Sequence, residues 1–308
     1  MPLMGFGTYI GMTDGEIIGI EDAAMRKQAT TDAIYSALER GYRHLDLAEN
    51  YNNLSAVKAA LNQAFRPVSE GGLGLAREDI WLTMKAFGPY NDAHISYLLR
   101  QVGVDYFDLF LIHNPTHGRL FDDRDSLVAG WSDLAQVSNT KINRIGVSNF
   151  YTPHLERLLD VCDQEGLPRP FVNQILLNPW AQNKDLMDYC NHHGIKMMAY
   201  SPLGYAYSNW VLEDINLQKV ALEIGTTPAQ VALAWLMQKN IAVIPKTTHA
   251  ERLVENLQSQ RFITSLSLEH IQSIDETVAV VPMSTMTSEG SEEHGERLSW
   301  GSFTHRPH

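Results

Sequence analysis

Two cysteines in 308 residues, Cys162 and Cys190, are too few for a disulfide scaffold and point to a reducing cytoplasm as the compartment. Cations are scarce: 24 Lys and Arg stand against 36 Asp and Glu, a formal net charge of −12. That balance argues against a nucleic-acid binder, which needs a basic face. It leaves room for an anionic ligand, because a few local cations can dominate a pocket. Nowhere does the chain approach the ~18 uninterrupted apolar residues of a membrane span. Its first residues also lack the basic-then-apolar pattern of a signal peptide. The partner to expect is a small molecule, with no nucleic acid and no membrane.

What the chain does have is alternation. Short apolar runs at 5–9, 43–47, 80–84, 107–112, 144–148, 171–175, 196–200 and 241–244 read as strands. Amphipathic stretches at 25–40, 54–66, 92–102, 126–138, 152–163, 184–193, 215–238 (in two pieces) and 249–258 read as helices. Strict alternation implies a parallel sheet with helices outside. Eight such units in about 250 residues suit a (β/α)₈ barrel better than a doubly wound sheet. No linker interrupts the pattern, so 1–278 is expected to be one barrel domain. Residues 279–308, rich in Ser, Glu, Met and Thr, are expected to form a tail over the active-site rim.

Barrel chemistry sits at the C-terminal ends of the strands. Read in order, those ends offer Asp46 with Tyr51, Lys85, His113, Ser148 with Asn149, Gln174, Tyr200 with Ser201, and Lys246. Singly each is weak: His113 could cap a buried strand and Lys85 could snorkel to solvent. Together they put proton donors, charges and amide ligands on one rim. An ordinary phenol has a pKa of about 10 and gives up its proton poorly. The Lys85 ammonium is expected to lower the Tyr51 value, with Asp46 keeping the lysine charged and placed. His113 would hydrogen-bond a substrate carbonyl oxygen. No serine or cysteine nucleophile is evident, so the attacker is expected to be a hydride from a cofactor.

The segment IAVIPKTTHAERLVENL suggests where the other end of that cofactor lies. A strand ends at Pro245, Lys246 follows, and Arg252 stands one helical turn further on. Thr248 and Glu251 read as a capping box at the helix start. Two cations beside exposed helix N–H groups make an anion site, and phosphate is the commonest anion.

At this point several motifs resemble the aldo-keto reductases. GYRHLDLAENYNN carries Asp46 and Tyr51 at the family's spacing, WLTMK supplies Lys85 and DYFDLFLIHNP supplies His113. KINRIGVSNF, VNQILLNPW, MMAYSPLG and IPKTTHAERLVEN follow in the family's order. The resemblance implies an NADPH-dependent reductase of small carbonyl compounds, a monomer more often than an oligomer. It implies that Ser148, Asn149 and Gln174 hold the nicotinamide carboxamide, that Tyr200 stacks on the ring, and that Ser201 and Leu203 lie near the pyrophosphate. Lys246, Thr247 and Arg252 would take the 2′-phosphate and adenine side, with Glu255 and Asn256 on the adenosine.

The chain departs from the family pattern in several places. Leu47 stands where threonine is common and Asn52 where glycine usually follows the tyrosine. Asn114 replaces the usual tryptophan after His113, and because the chain starts close to GFGTY the usual hairpin before it is expected to be absent. Trp300 and Phe303 of the tail are expected to supply the apolar wall that Asn114 does not. Gly5, Gly7 and Gly11 mimic a dinucleotide fingerprint, yet the helix that motif needs starts too late. His113 and His117 are four apart, but Pro115 between them argues against a helical metal pair, and no metal is expected. Two rival readings are a redox sensor that binds NADPH with slow turnover and a metal-dependent barrel hydrolase.

Overall fold

The computed structural model describes residues 1–10, 23–115, 123–138, 140–205 and 208–277. The tail over 279–308, with Trp300 and Phe303, lies outside them, as do Gly11 and His117. The strands are β1 (Phe6–Gly7), β2 (His44–Ala48), β3 (Trp81–Ala86), β4 (Leu109–Ile112), β5 (Ile145–Ser148), β6 (Val172–Leu176), β7 (Lys196–Tyr200) and β8 (Ala242–Ile244). The sequence pattern locates every one to within two residues at either end. All pair in parallel in the order β1 to β8. A parallel bridge between Met4 and Val243 joins the last strand to the first. The bonds Gly5 N–H to Val243 O, 2.8 Å, and Val243 N–H to Leu3 O, 2.7 Å, complete that seam. The fold is the expected (β/α)₈ barrel.

Between the strands run α1 (Ala23–Glu39), α2 (Leu54–Phe65), α3 (Asp92–Val102), α4 (Arg124–Val137), α5 (Thr152–Glu165) and α6 (Lys184–His192). Three more separate β7 from β8: α7 (Ser208–Leu212), α8 (Ile215–Ile224) and α9 (Pro228–Gln238). After β8 come α10 (Ala250–Gln258) and α11 (Leu268–Asp275). The expected break within 215–238 is real, a bend of 91° between α8 and α9. Gly225 closes α8 at φ 69°, a left-handed turn glycine adopts freely, and Thr227 caps α9 by accepting the Gln230 N–H. The periodicity did not reveal α7 or α11, each too short to fill a periodic window. Tertiary bonds hold α11: Gln182 donates to Ile274 O at 3.0 Å and the Trp235 indole to Asp275 Oδ1 at 2.8 Å.

Strand parity sorts the side chains into two cores. Leu45, Leu47, Met84, Phe110, Ile112, Val147 and Ile175 face the helices. Leu109, Leu111, Val172, Met198, Ala242 and Ile244 fill the barrel interior, packed against Met1, Leu3, Trp81 and Phe171. Leu47 is therefore a shell residue, and exchanging the family's threonine for it alters no rim chemistry. Gly5 is needed for packing: a Cβ there would come within 2.8 Å of both the His44 ring and Ile244. Interior parity at the C-terminal strand ends selects Asp46, Lys85, Ser148, Gln174 and Tyr200. The sequence thus aims its polar groups at one mouth.

Candidate active site

Asp46 and Lys85 lie on adjacent strands, each 1% exposed, and form an ion pair through Asp46 Oδ2 and Lys85 Nζ. Water is excluded there, so each charge depends on the other. The second carboxylate oxygen, Oδ1, accepts from Gln174 Nε2 at 2.7 Å. Lys85 is no solvated surface lysine.

Tyr51 sits on a single 3₁₀ turn, Glu49–Tyr51, directly after β2. Asn52 ends that turn at φ 52°, ψ 27°. Asparagine is one of the few side chains that tolerate this left-handed conformation, which accounts for its standing where glycine is usual. The turn is braced at both ends. Thr8 Oγ1 donates to Asp46 O at 2.7 Å, and Asn53 Nδ2 donates to Thr8 O at 2.6 Å. Lys85 Nζ then lies 5.0 Å from the centre of the Tyr51 ring. The His113 ring meets Tyr51 edge-on at 6.2 Å and is itself 7% exposed.

Electrostatics correct one expectation. Tyr51 is held above the usual phenol value, foremost because burial disfavours the phenolate. Lys85 pulls the value down, as the sequence suggests, but Asp46 pushes it back up. Burial works to lower the Lys85 value as well, and there Asp46 and Tyr51 outweigh it, so the ammonium is kept. The phenol therefore stays protonated near neutrality, and the cation beside it stabilises the phenolate once the proton has left.

Two aromatic neighbours were missed in the sequence. Tyr9, just after β1, lies 4.8 Å from the Tyr51 ring, and Phe87 stacks on His113 at 4.6 Å with planes 8° apart. Both could have been found by applying the rim rule to β1 and by extending β3 two residues beyond Lys85 at constant parity.

The other rim residues gather on the far side of the mouth. Ser148 Oγ and the Asn149 N–H both donate to Gln174 O at 2.9 Å. Asn149 stands at φ 62° and donates from Nδ2 to His113 O at 2.9 Å. Tyr200 Oη donates to Asn149 Oδ1 at 2.9 Å. Ser201, at φ 49°, follows β7 directly, and its carbonyl accepts from Asn178 at 3.3 Å. Leu203 is half-buried against the helical shell. Asn114 is half-buried beside His113.

At the end of β8, Lys246 is half-buried, Thr247 is 7% exposed, and Arg252 is exposed on the first turn of α10. The expected capping box is absent. His249, not Thr248, is the N-cap of α10, and its side chain makes no capping bond. The start is displaced by one residue because Thr247 Oγ1 accepts the His249 N–H at 3.1 Å and turns the chain there. Glu251 Oε1 lies 3.5 Å from His249 Nδ1 instead of capping the helix. First-turn N–H groups without an N-cap side chain, next to Lys246 and Arg252, suit a phosphate. Glu255 and Asn256 follow, the first accepting from Thr227 Oγ1 at 2.6 Å and the second 4% exposed. The donor set fits a phosphorylated dinucleotide.

Comparisons with known proteins show the family. A model of the aldo/keto reductase family matches residues 4–279. The chain is similar to a 9,11-endoperoxide prostaglandin H2 reductase of Trypanosoma cruzi, 31% identical over 90% of this chain and 87% of the relative. A (1S)-1,7-diacetoxy-luvungin A aldo-keto reductase of Citrus sinensis is 32% identical over 90% of this chain and 86% of its own length. Among solved structures, an aldo/keto reductase of Brucella melitensis superposes with a TM-score of 0.73 at 30% identity, covering 90% of this chain and 93% of that one. An aldose reductase of Giardia lamblia gives 0.71 at 31%, covering 89% and 91%.

Proposed function

The chain belongs to the aldo/keto reductase family, oxidoreductases acting on carbonyl compounds, and we propose that it reduces an aldehyde or ketone to the alcohol with NADPH. The observation that carries this reading is the cluster at the ends of β2, β3 and β4. There a buried, carboxylate-paired ammonium lies 5.0 Å from a phenol ring that also meets an imidazole.

NADPH, when bound, supplies the hydride that goes to the carbonyl carbon. Tyr51 donates its proton to the carbonyl oxygen. Lys85 stabilises the phenolate left behind, and Asp46 keeps Lys85 charged and in place. His113 hydrogen-bonds the same oxygen, fixes its angle and offsets the charge that develops there. Ser148, Asn149, Gln174 and Tyr200 hold the nicotinamide end, with Ser201 and Leu203 near the pyrophosphate. Lys246, Thr247 and Arg252 hold the 2′-phosphate, and Glu255 and Asn256 the adenosine. In this proposal the enzyme is a cytoplasmic monomer.

A panel of aldehydes, ketones and sugars, followed by NADPH absorbance, tests the reading. The Tyr51→Phe variant should lose about 10²–10⁴-fold in turnover while binding NADPH as the wild type does. Tight NADPH binding without turnover on any carbonyl would make the protein a sensor and overturn the proposal.

A further inference from the structure

Gln174 and Asp46 come from β6 and β2, four strands apart in either direction round the closed barrel, and so face each other across the mouth. Both residues are 1% exposed. Their contact is a charge-assisted hydrogen bond of 2.7 Å from Nε2 to Oδ1. Only the NH₂ end of the amide can face that oxygen, since turning the amide would set its carbonyl against a carboxylate. The second amide hydrogen is directed at Met198 Sδ, 2.9 Å away. Both donors of Gln174 are thereby used inside the protein, and its carbonyl Oε1 is the one group left for a ligand.

The carboxylate of Asp46 is held at both oxygens, Oδ2 by Lys85 and Oδ1 by Gln174. With Lys85 alone, the carboxylate could rotate about χ2 and carry the ammonium with it. With Gln174 as a second, opposed anchor, the plane of the carboxylate is fixed and so is the ammonium beneath Tyr51. The Gln174 backbone is rigid in turn, because its carbonyl accepts from both Ser148 Oγ and the Asn149 N–H.

We propose that Gln174 is a positioning residue for the proton-donating group, acting through Asp46 and Lys85 on Tyr51, beyond any contact it makes with a cofactor. The proposal rests on the reductase reading above. It implies that Gln174 receives a hydrogen bond from a bound carboxamide and gives none.

A double-mutant cycle tests it, with kcat taken at saturating NADPH and saturating aldehyde and the NADPH dissociation constant measured separately by fluorescence. Gln174→Met keeps the length and removes the donor. In the wild-type background it should lower kcat by about 10- to 100-fold, the cost of a catalytic group misplaced by roughly an ångström. In an Asp46→Ala background the same change should lower kcat less than threefold, since the group it positions is gone. Should Asp46→Ala fail to fold, Asp46→Asn serves: its amide keeps one acceptor for the two donors, and the penalty of Gln174→Met should fall between the two. Urea unfolding of the four cofactor-free proteins reads the contact without turnover, and the two substitutions should there be clearly non-additive. If Gln174→Met raises only the dissociation constant, or lowers kcat equally in both backgrounds, the residue is a cofactor ligand alone and the proposal fails. Additive unfolding energies would also overturn it. A wild-type protein that consumes no NADPH defeats the reductase reading itself, a result distinct from any of these.

Discussion

Tyr200 and Asn149 are bonded to each other across the rim, phenol to amide oxygen at 2.9 Å, while the other end of the same amide is tied to the His113 carbonyl. The residues expected to meet the nicotinamide therefore hold one another, and the amide is linked through the main chain to the residue expected to orient the substrate. A ligand that takes Asn149 Oδ1 shares that oxygen with the Tyr200 hydroxyl.

Removing that hydroxyl separates stacking from hydrogen bonding. Tyr200→Phe should leave the NADPH dissociation constant within about threefold, because the ring remains and one competing bond is lost. Tyr200→Ala should weaken binding about tenfold or more, as aromatic stacking contributes about 0.5–1.5 kcal/mol beyond the area buried. Fluorescence titration of the two variants decides; equal weakening in both would show that the hydroxyl, not the ring face, matters.

The buried pair makes a stability prediction as well as a kinetic one. Either Asp46→Asn or Lys85→Met alone strands a charge that is shut off from water, at a cost of about 3–5 kcal/mol. The double variant strands none and should lose well under the sum of the two, which urea denaturation can measure. In turnover, Lys85→Met should be as damaging as Tyr51→Phe, since the phenolate loses its cation. Asp46→Asn should be milder, because Lys85 remains beside the ring. A more crippled aspartate variant would reverse the roles assigned here.

Preference for NADPH over NADH should depend on Arg252, which is exposed on the first turn of α10 and forms no ion pair with an acidic side chain among the described residues. A charge-assisted bond to phosphate is worth roughly 1.5–3 kcal/mol. Arg252→Ala should thus weaken NADPH about tenfold or more and leave NADH nearly unchanged. Equal affinity of the wild-type protein for both cofactors would remove the 2′-phosphate from the site.

His44 lies at the opposite end of the barrel, fully buried, with Nε2 2.9 Å from Thr83 Oγ1. Burial holds its imidazole well below the usual value, at about 3, against the smaller opposing pull of the Pro2 carbonyl. The unfolded chain, with an ordinary value near 6.5, binds more protons than the folded one throughout the interval between. Stability from this group is complete above about pH 6.5 and falls as the pH drops toward 3, by up to about 1.4 kcal/mol per unit. His44→Gln should be less stable at pH 7 yet show a flatter decline between pH 6.5 and 4 in urea unfolding. Parallel curves would mean that His44 contributes nothing to acid sensitivity.

Most of the barrel and much of the rim were legible in the sequence. Short apolar runs alternating with amphipathic helices define eight units, and the C-terminal ends of those runs pick out Asp46, Lys85, His113, Ser148, Gln174, Tyr200 and Lys246 without reference to any contact. The Thr248 capping box was misplaced because a hydroxyl one residue earlier could take the same turn, and a choice between adjacent caps is worth only about 1 kcal/mol. Tertiary structure alone decided the rest. It brought Tyr9 and Phe87 onto Tyr51 and His113, joined Tyr200 to Asn149, and set Gln174 against Asp46, 128 residues away along the chain. It also set the direction in which Tyr51 is shifted, upward by burial despite the lysine beside it. A strand's period is a local property that neighbouring residues enforce on one another. Desolvation and cross-mouth hydrogen bonds are sums over side chains from strands distant in sequence, and they acquire a sign only when the barrel closes.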